Sequence, residues 1–281
     1  MTNSSDPFLP ESGSPDLSGS RRPADARENG IDERLFVASV EKAMRVLQAF
    51  DKDTDGLSLQ DLTARTELGR SATQRFVYTL HQLGYLKRNA AAKTYSLSTK
   101  LIGLAGGMLS GNARLQHAYP IMAQLAKETG ETVSWLELDD DEIVVLGNIP
   151  GVHLTSVNMP VGSRFPALPA SSGQVLLAHA PKAQLLDMVA RLAPDVRARF
   201  GDRDDEEILA LLAKAQRNGY SMTEKNLGQG SVSISVPVYG PAGQVVAALN
   251  LSTLASRFDM EAARAQLLPL VLQSAGQLST S

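Results

Sequence analysis

Residues 57–98 read LSLQDLTARTELGRSATQRFVYTLHQLGYLKRNAAAKTYSLS, and this stretch decides the fold of the N-terminal half. Ser58 predicts the N-cap of a short helix, with Asp61 three residues on as in a capping box and Leu59 and Leu62 facing inward. Leu68-Gly69 makes a turn. Ser71 then predicts the start of another helix, with Gln74 completing an S-x-x-Q box. Phe76, Val77, Leu80 and Leu83 form its apolar stripe, and Gly84 ends it. YLKR and TYSLS are two short strands around the polar tip NAAAK, which makes a β-hairpin.

Upstream, Ser39 is expected to cap a helix whose apolar face is Val40, Ala43, Met44, Leu47 and Phe50, with DKDTDG (51–56) breaking it. Helix, short helix, turn, capped helix and basic hairpin in this order are a winged helix-turn-helix, assigned to residues 37–98. If the stripe of the last helix is inside, Arg70, Ser71, Thr73, Gln74, Arg75 and Tyr78 face outward. Arg can bind guanine edges bidentately and Gln can bind adenine. Lys87, Arg88 and Lys93 on the wing can hold phosphates without reading sequence.

The whole chain carries 27 basic and 30 acidic residues, a net charge of −3, which looks wrong for a partner of DNA. Distribution matters more than the sum. Residues 67–100 hold six bases (Arg70, Arg75, Lys87, Arg88, Lys93 and Lys100) against one acid, Glu67. The positive charge thus gathers on the predicted reading helix and wing. An outer face of this composition also suits an ordinary solvated helix, and some winged helices bind protein instead. Element order together with the charge concentration favours double-stranded DNA.

Residues 1–36 are rich in Ser, Pro, Gly and charge and poor in large apolar groups, so a disordered tail is expected there. Residues 99–114 predict a linking helix with Leu101, Leu104, Ala105 and Met108 on one face, weakened by four glycines. From residue 115 to 281 the pattern is that of a second domain. A helix to about 129 precedes strands ETVSWLEL and EIVVLGNI around the acidic turn Asp139 to Glu142, and HLTSVNM (153–159) reads as a third strand. Helices are expected near 172–179, 182–192 and 204–217. Strands SVSISVPVY and QVVAALNLST follow around Gly240–Gly243, and a last helix covers about 259–277. The fold class is α+β, with an antiparallel sheet and helices packed on it.

Several chemistries are set aside. There is no cysteine, and the four histidines form no metal-binding spacing, so neither metal nor cofactor is expected. Ser171, Ser172 and Gly173 do not form a nucleophile elbow, and Gly228-Gln229-Gly230 is too little for a nucleotide site. An enzyme built on the second domain lacks a catalytic constellation. No apolar run is long enough to span a membrane and no signal peptide is apparent, so a cytoplasmic location is expected.

The strand 231–239 alternates strictly, with Ser231, Ser233, Ser235, Pro237 and Tyr239 on one face and Val232, Ile234, Val236 and Val238 on the other. The valine face must pack on helices. The serine face is either wet surface or the floor of a polar cavity. Asn250 and Ser252 share a face with Val246 and Ala248 on the next strand. A cavity with a few aimed hydroxyls and amides suits a small organic acid, with Arg164 the nearest counter-charge in sequence. Trp135 and Met222 read as core.

Taken as a whole, residues 37–281 resemble the IclR family of bacterial regulators. The likeness rests on SVEKAMRVLQAF, the stretch quoted above, GSRFPALPASSGQVLLA and GYSMTEKNLGQGSVSISVPVYGPAGQVVAALNLST. VGSRFPA and VAALNLST look most like the branch that controls aromatic-acid catabolism through protocatechuate, 4-hydroxybenzoate or β-ketoadipate. The resemblance implies a GAF-like effector domain, homodimers or tetramers and a palindromic operator. It places effector contacts on Ser171, Ser172, Thr223, Ser233, Asn250 and Ser252. Gln174 departs from the family's usual Lys or Arg, as do Thr223 to Asn226 from its usual acidic stretch.

Overall fold

The computed structural model describes residues 32–50, 56–192, 194–201, 203–224 and 230–279. They form two compact units that join in the chain between Asn112 and Ala113. The tail expected over 1–36 lies outside the described residues apart from its last five, and the break expected at 51–56 apart from Gly56.

The first unit contains α1 (Ala38–Gln48), β1 (Leu57–Ser58), α2 (Leu59–Thr66), α3 (Arg70–Gln82), β2 (Leu86–Asn89), β3 (Thr94–Leu97) and α4 (Lys100–Gly111). Its sheet has the order β1-β3-β2, both pairs antiparallel. Val46, Leu57, Leu62, Leu68, Val77, Leu80 and Leu86 form the core. The capping box at Ser58 is present in full: the Asp61 amide donates to Ser58 Oγ at 3.2 Å, and the Ser58 amide donates to Asp61 Oδ2 at 2.9 Å. At the far end of α3 the Gly84 amide bonds the His81 carbonyl and the Tyr85 amide bonds the Leu80 carbonyl, with Gly84 at φ 78°. This double bond around a left-handed glycine is a Schellman ending.

Three local expectations fail. α1 begins at Ala38 with Val37 as its uncapped N-cap, so Ser39 caps nothing. Its apolar set is wider than the core can cover: Val46 is fully buried, while Val40 and Met44 are 55% and 52% exposed. Ser71 and Gln74 form no capping box either. Gly69 takes the extended N-cap conformation, α3 starts at Arg70, and no side chain caps it. Finally, the buried stripe of α3 is Thr73, Val77 and Leu80, an i, i+4, i+7 set, while Leu83 is exposed at the C-cap.

The second unit begins with α5 (Ala113–Thr129). Strands β4 (Thr132–Asp139), β5 (Glu142–Ile149) and β6 (Arg164–Pro166) come next. Four helices follow: α6 (Ser171–Leu177), α7 (Lys182–Ala190), α8 (Pro194–Arg199) and α9 (Asp205–Asn218). Strands β7 (Ser221–Glu224), β8 (Ser231–Tyr239) and β9 (Val245–Leu254) precede the final helical run. That run is α10 (Met260–Ala262), a π-helical turn (Ala263–Leu267) and α11 (Leu268–Ser279). The six strands make one antiparallel sheet, β6-β5-β4-β9-β8-β7. α5 and α11 pack on one face and α6 on the other. Leu136, Ile143, Val145, Phe165, Ile208 and Leu212 belong to the core on the α6 side.

The strand expected at 153–159 does not form. Its backbone is held by side chains instead of a ladder: Thr132 Oγ1 donates to the Val157 carbonyl at 3.0 Å, and Arg257 Nη1 to the Thr155 carbonyl at 3.0 Å. β6 takes the sheet edge that this segment leaves open. Arg257 also grips the fully buried Glu131 with two bonds, of 2.7 and 2.6 Å.

Candidate functional site

Two surfaces carry the residues singled out from sequence. The first is the outer side of α3 with the hairpin. Arg70, Ser71, Gln74 and Arg75 are exposed, and Tyr78 is 64% exposed. The missing cap is informative here. Gly69 offers no side chain to cap the first amides of α3, and no other side chain among the described residues caps them, which leaves a positive helix end suited to a phosphate.

Thr73 does not belong to this surface. It is fully buried, and its hydroxyl donates back to the carbonyls of Leu68 and Gly69 at 3.4 and 3.3 Å. A base-contacting role for Thr73 is thereby corrected to a packing role. Lys87 and Arg88 are exposed on β2, but strand alternation sends their side chains to opposite faces of the hairpin. Lys93 stands exposed in the turn at φ 57°. The Asn89 side chain shapes that turn by accepting from the amides of Ala91 and Ala92, both at 3.1 Å. Lys100, one of the six clustered bases, closes the C-terminal end of α3: its Nζ donates to the Leu83 carbonyl at 2.8 Å and lies 4.6 Å from the Tyr85 ring centre.

The second surface is buried. The strand pairs Ser134↔Asn250, Ser235↔Asn250, Ser233↔Ser252 and Thr223↔Ser233 put polar side chains of four neighbouring strands on one sheet face. They bond to one another. Ser171 Oγ at the start of α6 lies 2.8 Å from Ser235 Oγ, which accepts from Asn250 Nδ2 at 2.9 Å. Ser252 Oγ donates to Asn250 Oδ1 at 2.8 Å and lies 3.0 Å from Ser233 Oγ. Ser171, Ser233, Asn250 and Ser252 are thus linked in one chain of hydrogen bonds, each under 5% exposed. The serine face is therefore a covered polar site, not wet surface.

Ser172 is buried in the first turn of α6, but its hydroxyl takes no part in this chain of bonds. Thr223 sits across from Ser233, and its buried hydroxyl has no hydrogen-bond partner among the described residues. Gln174 ties the site to its surroundings by donating to the Leu168 carbonyl at 3.1 Å and accepting from Ser221 Oγ. Gly173 is demanded by packing, since a Cβ there would fall 1.8 Å from the Ala167 carbonyl oxygen.

Arg164 is not the counter-charge of this site. Its guanidinium bonds Glu142 at 2.7 Å and Asp139 at 2.6 Å at the exposed turn between β4 and β5. Those two carboxylates hold it in the charged form.

Sequence reasoning missed Ser134, Asn148 and Met159. Ser134 Oγ donates to Asn148 Oδ1 at 2.9 Å, and Met159 Sδ lies 3.7 Å from Ser134 Oγ and 3.8 Å from Ser252 Oγ. The alternation Thr132, Ser134, Leu136 carried the signal for Ser134. Nothing local marks Met159, which arrives from the irregular 151–160 segment.

Both halves of the chain match known proteins. Residues 39–90 match the IclR helix-turn-helix domain, and residues 108–280 match the bacterial transcriptional regulator IclR C-terminal domain. The chain is 31% identical to the Pca regulon regulatory protein of Pseudomonas putida, covering 86% of this chain and 83% of that protein. It is 25% identical to the p-hydroxybenzoate hydroxylase transcriptional activator of Acinetobacter baylyi, over 86% and 91% of the two chains. The crystal structure of an IclR homolog complexed with 4-hydroxybenzoate, from Microbacterium hydrocarbonoxydans, superposes with a TM-score of 0.71 at 26% identity, over 86% and 98% of the chains. These relatives are regulators of transcription and not enzymes. No helix among the described residues is long and apolar enough to cross a membrane. With both of its halves matched, the chain belongs to the IclR family and is a ligand-responsive, DNA-binding transcriptional regulator.

Proposed function

We propose that this regulator controls catabolic genes for a small aromatic or keto acid, and that the acid binds in the Ser/Asn site between the sheet and α6. The observation that carries the reading is the hydrogen-bonded chain Ser171–Ser235–Asn250–Ser252–Ser233, buried and built without charged side chains among the described residues, with the Thr223 hydroxyl, unpartnered among those residues, beside it. Such a site can exchange its internal bonds for those of a carboxylate and a hydroxyl or keto oxygen. The names of the two relatives and the 4-hydroxybenzoate complex support the aromatic class. Ser172 lines the same helix start.

On the DNA side, we assign residues 37–98 to operator binding, 99–114 to the link and 115–281 to the effector domain. Arg70, Ser71, Gln74, Arg75 and Tyr78 read the major groove, and Lys87, Arg88 and Lys93 hold the backbone. Two copies bind a palindromic operator, with reading helices about 34 Å apart to meet successive major grooves. Pairing is supported by apolar surface that one chain leaves uncovered. α4 buries no side chain, and Ile102, Leu104 and Met108 on it are 69%, 62% and 57% exposed. A DNA target implies a cytoplasmic location.

Nuclease footprinting on the gene's own and neighbouring promoters tests the DNA side, and absence of a protected palindrome would refute it. A thermal-shift screen with aromatic and keto acids, run on the wild type and Ser233→Leu, tests the effector side. The variant is expected to keep operator binding and lose the ligand response. A retained response would remove Ser233 from the site.

A further inference from the structure

The face of the sheet opposite the polar site carries a hollow of about 260 Å3, where α5 begins. Trp135, Val238, Pro241, Val246 and Leu278 give it apolar walls, and Arg114 and His117 flank it from the first turns of α5. The polar groups of the walls are already engaged. The Trp135 indole N–H donates to Glu137 Oε1 at 2.9 Å, and the side chain, 1% exposed, is packed into the wall and meets the hollow only at its edge. The Tyr239 hydroxyl lies 3.3 Å from His179 Nε2. Arg114 and His117 differ. Both are exposed, and neither has a hydrogen bond or ion pair among the described residues.

We propose that this hollow is a second small-molecule site, for a single-ring monocarboxylate whose ring packs against the apolar wall of Val238, Pro241, Val246 and the edge of Trp135 and whose carboxylate meets Arg114 and His117. Size limits the ligand: sites for drug-sized molecules run to roughly 300–1,000 Å3, and this one falls just below that range. Charge limits it further. The Arg114 guanidinium and the positive end of the 17-residue α5 attract one negative group, and the His117 imidazole can hydrogen-bond it. The hollow lies wholly within residues 113–281. It shares no lining residue with the Ser/Asn site, so the two assignments stand or fall separately.

Trp135 is the single tryptophan, so its fluorescence reports on this hollow. The experiment titrates benzoate into full-length wild type, Arg114→Glu and Ser233→Leu, and follows quenching. Quenching is expected in the wild type and in Ser233→Leu, and Arg114→Glu is expected to weaken the apparent affinity about tenfold or more. Arg114 is exposed, so its replacement leaves the core intact. A co-crystal with benzoate gives a second readout, with density expected between Trp135 and Arg114. The proposal is overturned by a wild type that shows no quenching, by quenching unchanged in Arg114→Glu, or by benzoate density confined to the Ser/Asn site. If Ser233→Leu does not fold, the wild type, Arg114→Glu and the co-crystal decide.

Discussion

The two candidate surfaces solve opposite problems. On α3 and the wing, Arg70, Gln74, Arg75 and Lys93 extend into solvent, and α3 starts without a side-chain cap. That surface is left incomplete, and its partner completes it. In the Ser/Asn site every hydroxyl and amide of the central chain already has a partner inside the protein. A ligand there must replace existing bonds, each worth about 0.5–1.5 kcal/mol net, and so must disturb the packing of α6 on the sheet. On the proposed assignment the contrast implies a division of labour: the open surface would confer affinity for DNA, and the closed one would convert ligand binding into a structural change.

The closed surface is the more fragile, and the largest expected effect lies there. Gly173→Ala puts a methyl 1.8 Å from the Ala167 carbonyl, a backbone atom that cannot step aside. The expected loss is at or above the upper end of the ~1–3 kcal/mol typical of overpacking. Melts of the full chain followed by Trp135 fluorescence measure it. A variant as stable as the wild type would show that α6 is not seated as tightly as the contrast requires.

The open surface should respond in binding and not in stability. Arg75→Ala is expected to cost about 1–3 kcal/mol of discrimination at one operator position, whereas Lys93→Ala weakens binding to all sequences alike. Thr73 sharpens the test, because it sits beside Gln74 in sequence and faces the core. Thr73→Ala should leave base preference unchanged and cost roughly 1 kcal/mol of stability through the lost hydroxyl bond and packing. Selection of binding sites from a random pool, run on all three variants, separates these outcomes. A changed base preference in Thr73→Ala would restore it to the reading face.

How much of each surface could be read in the sequence follows from the range of its contacts. The order of elements in the head rests on capping boxes, stripes and turn glycines within a few residues of one another. The Ser58–Asp61 box and the Gly84 ending were legible for that reason. Thr73 is not legible as a core position because its hydroxyl disguises it: a polar residue completes the buried stripe, and the apolar Leu83 lies outside it. The Ser71 box failed because Gly69, without a side chain to cap, could still take the extended N-cap geometry. In the second unit the alternation of β8 and β9 showed which residues share a face. It could not show that Ser134 and Asn148 join them across strands, or that Met159 reaches them from a segment with no ladder of its own.

A smaller effect is expected at Thr223, where the closed site is incomplete. Its hydroxyl is buried without a partner among the described residues, so Thr223→Val removes an unsatisfied group while conserving shape. The free protein should be unchanged or slightly more stable, by up to about 1 kcal/mol. Ligand response should fall if this hydroxyl waits for the effector. Paired thermal shifts with and without an active acid would tell: loss of stability in the free variant would mean that the hydroxyl already has a partner, and that the site is closed throughout.

Acid should separate the surfaces as well. The bonded chain of the Ser/Asn site contains no titratable group, so its bonds are indifferent to pH. The scaffold under α3 is not. The Asp61 carboxyl accepts from the Ser58 hydroxyl and amide, and these bonds hold it below the ordinary value of 3.8. A depressed carboxyl stabilises the fold above its unfolded value, and that contribution is lost as pH falls through the folded one. Asp61→Asn should therefore speed amide exchange in residues 58–66 at neutral pH, and the difference from wild type should shrink below pH 3.8. Hydrogen exchange at matched pH values measures the gap. A gap that persists undiminished in acid would mean that the cap acts through shape and not through its charge.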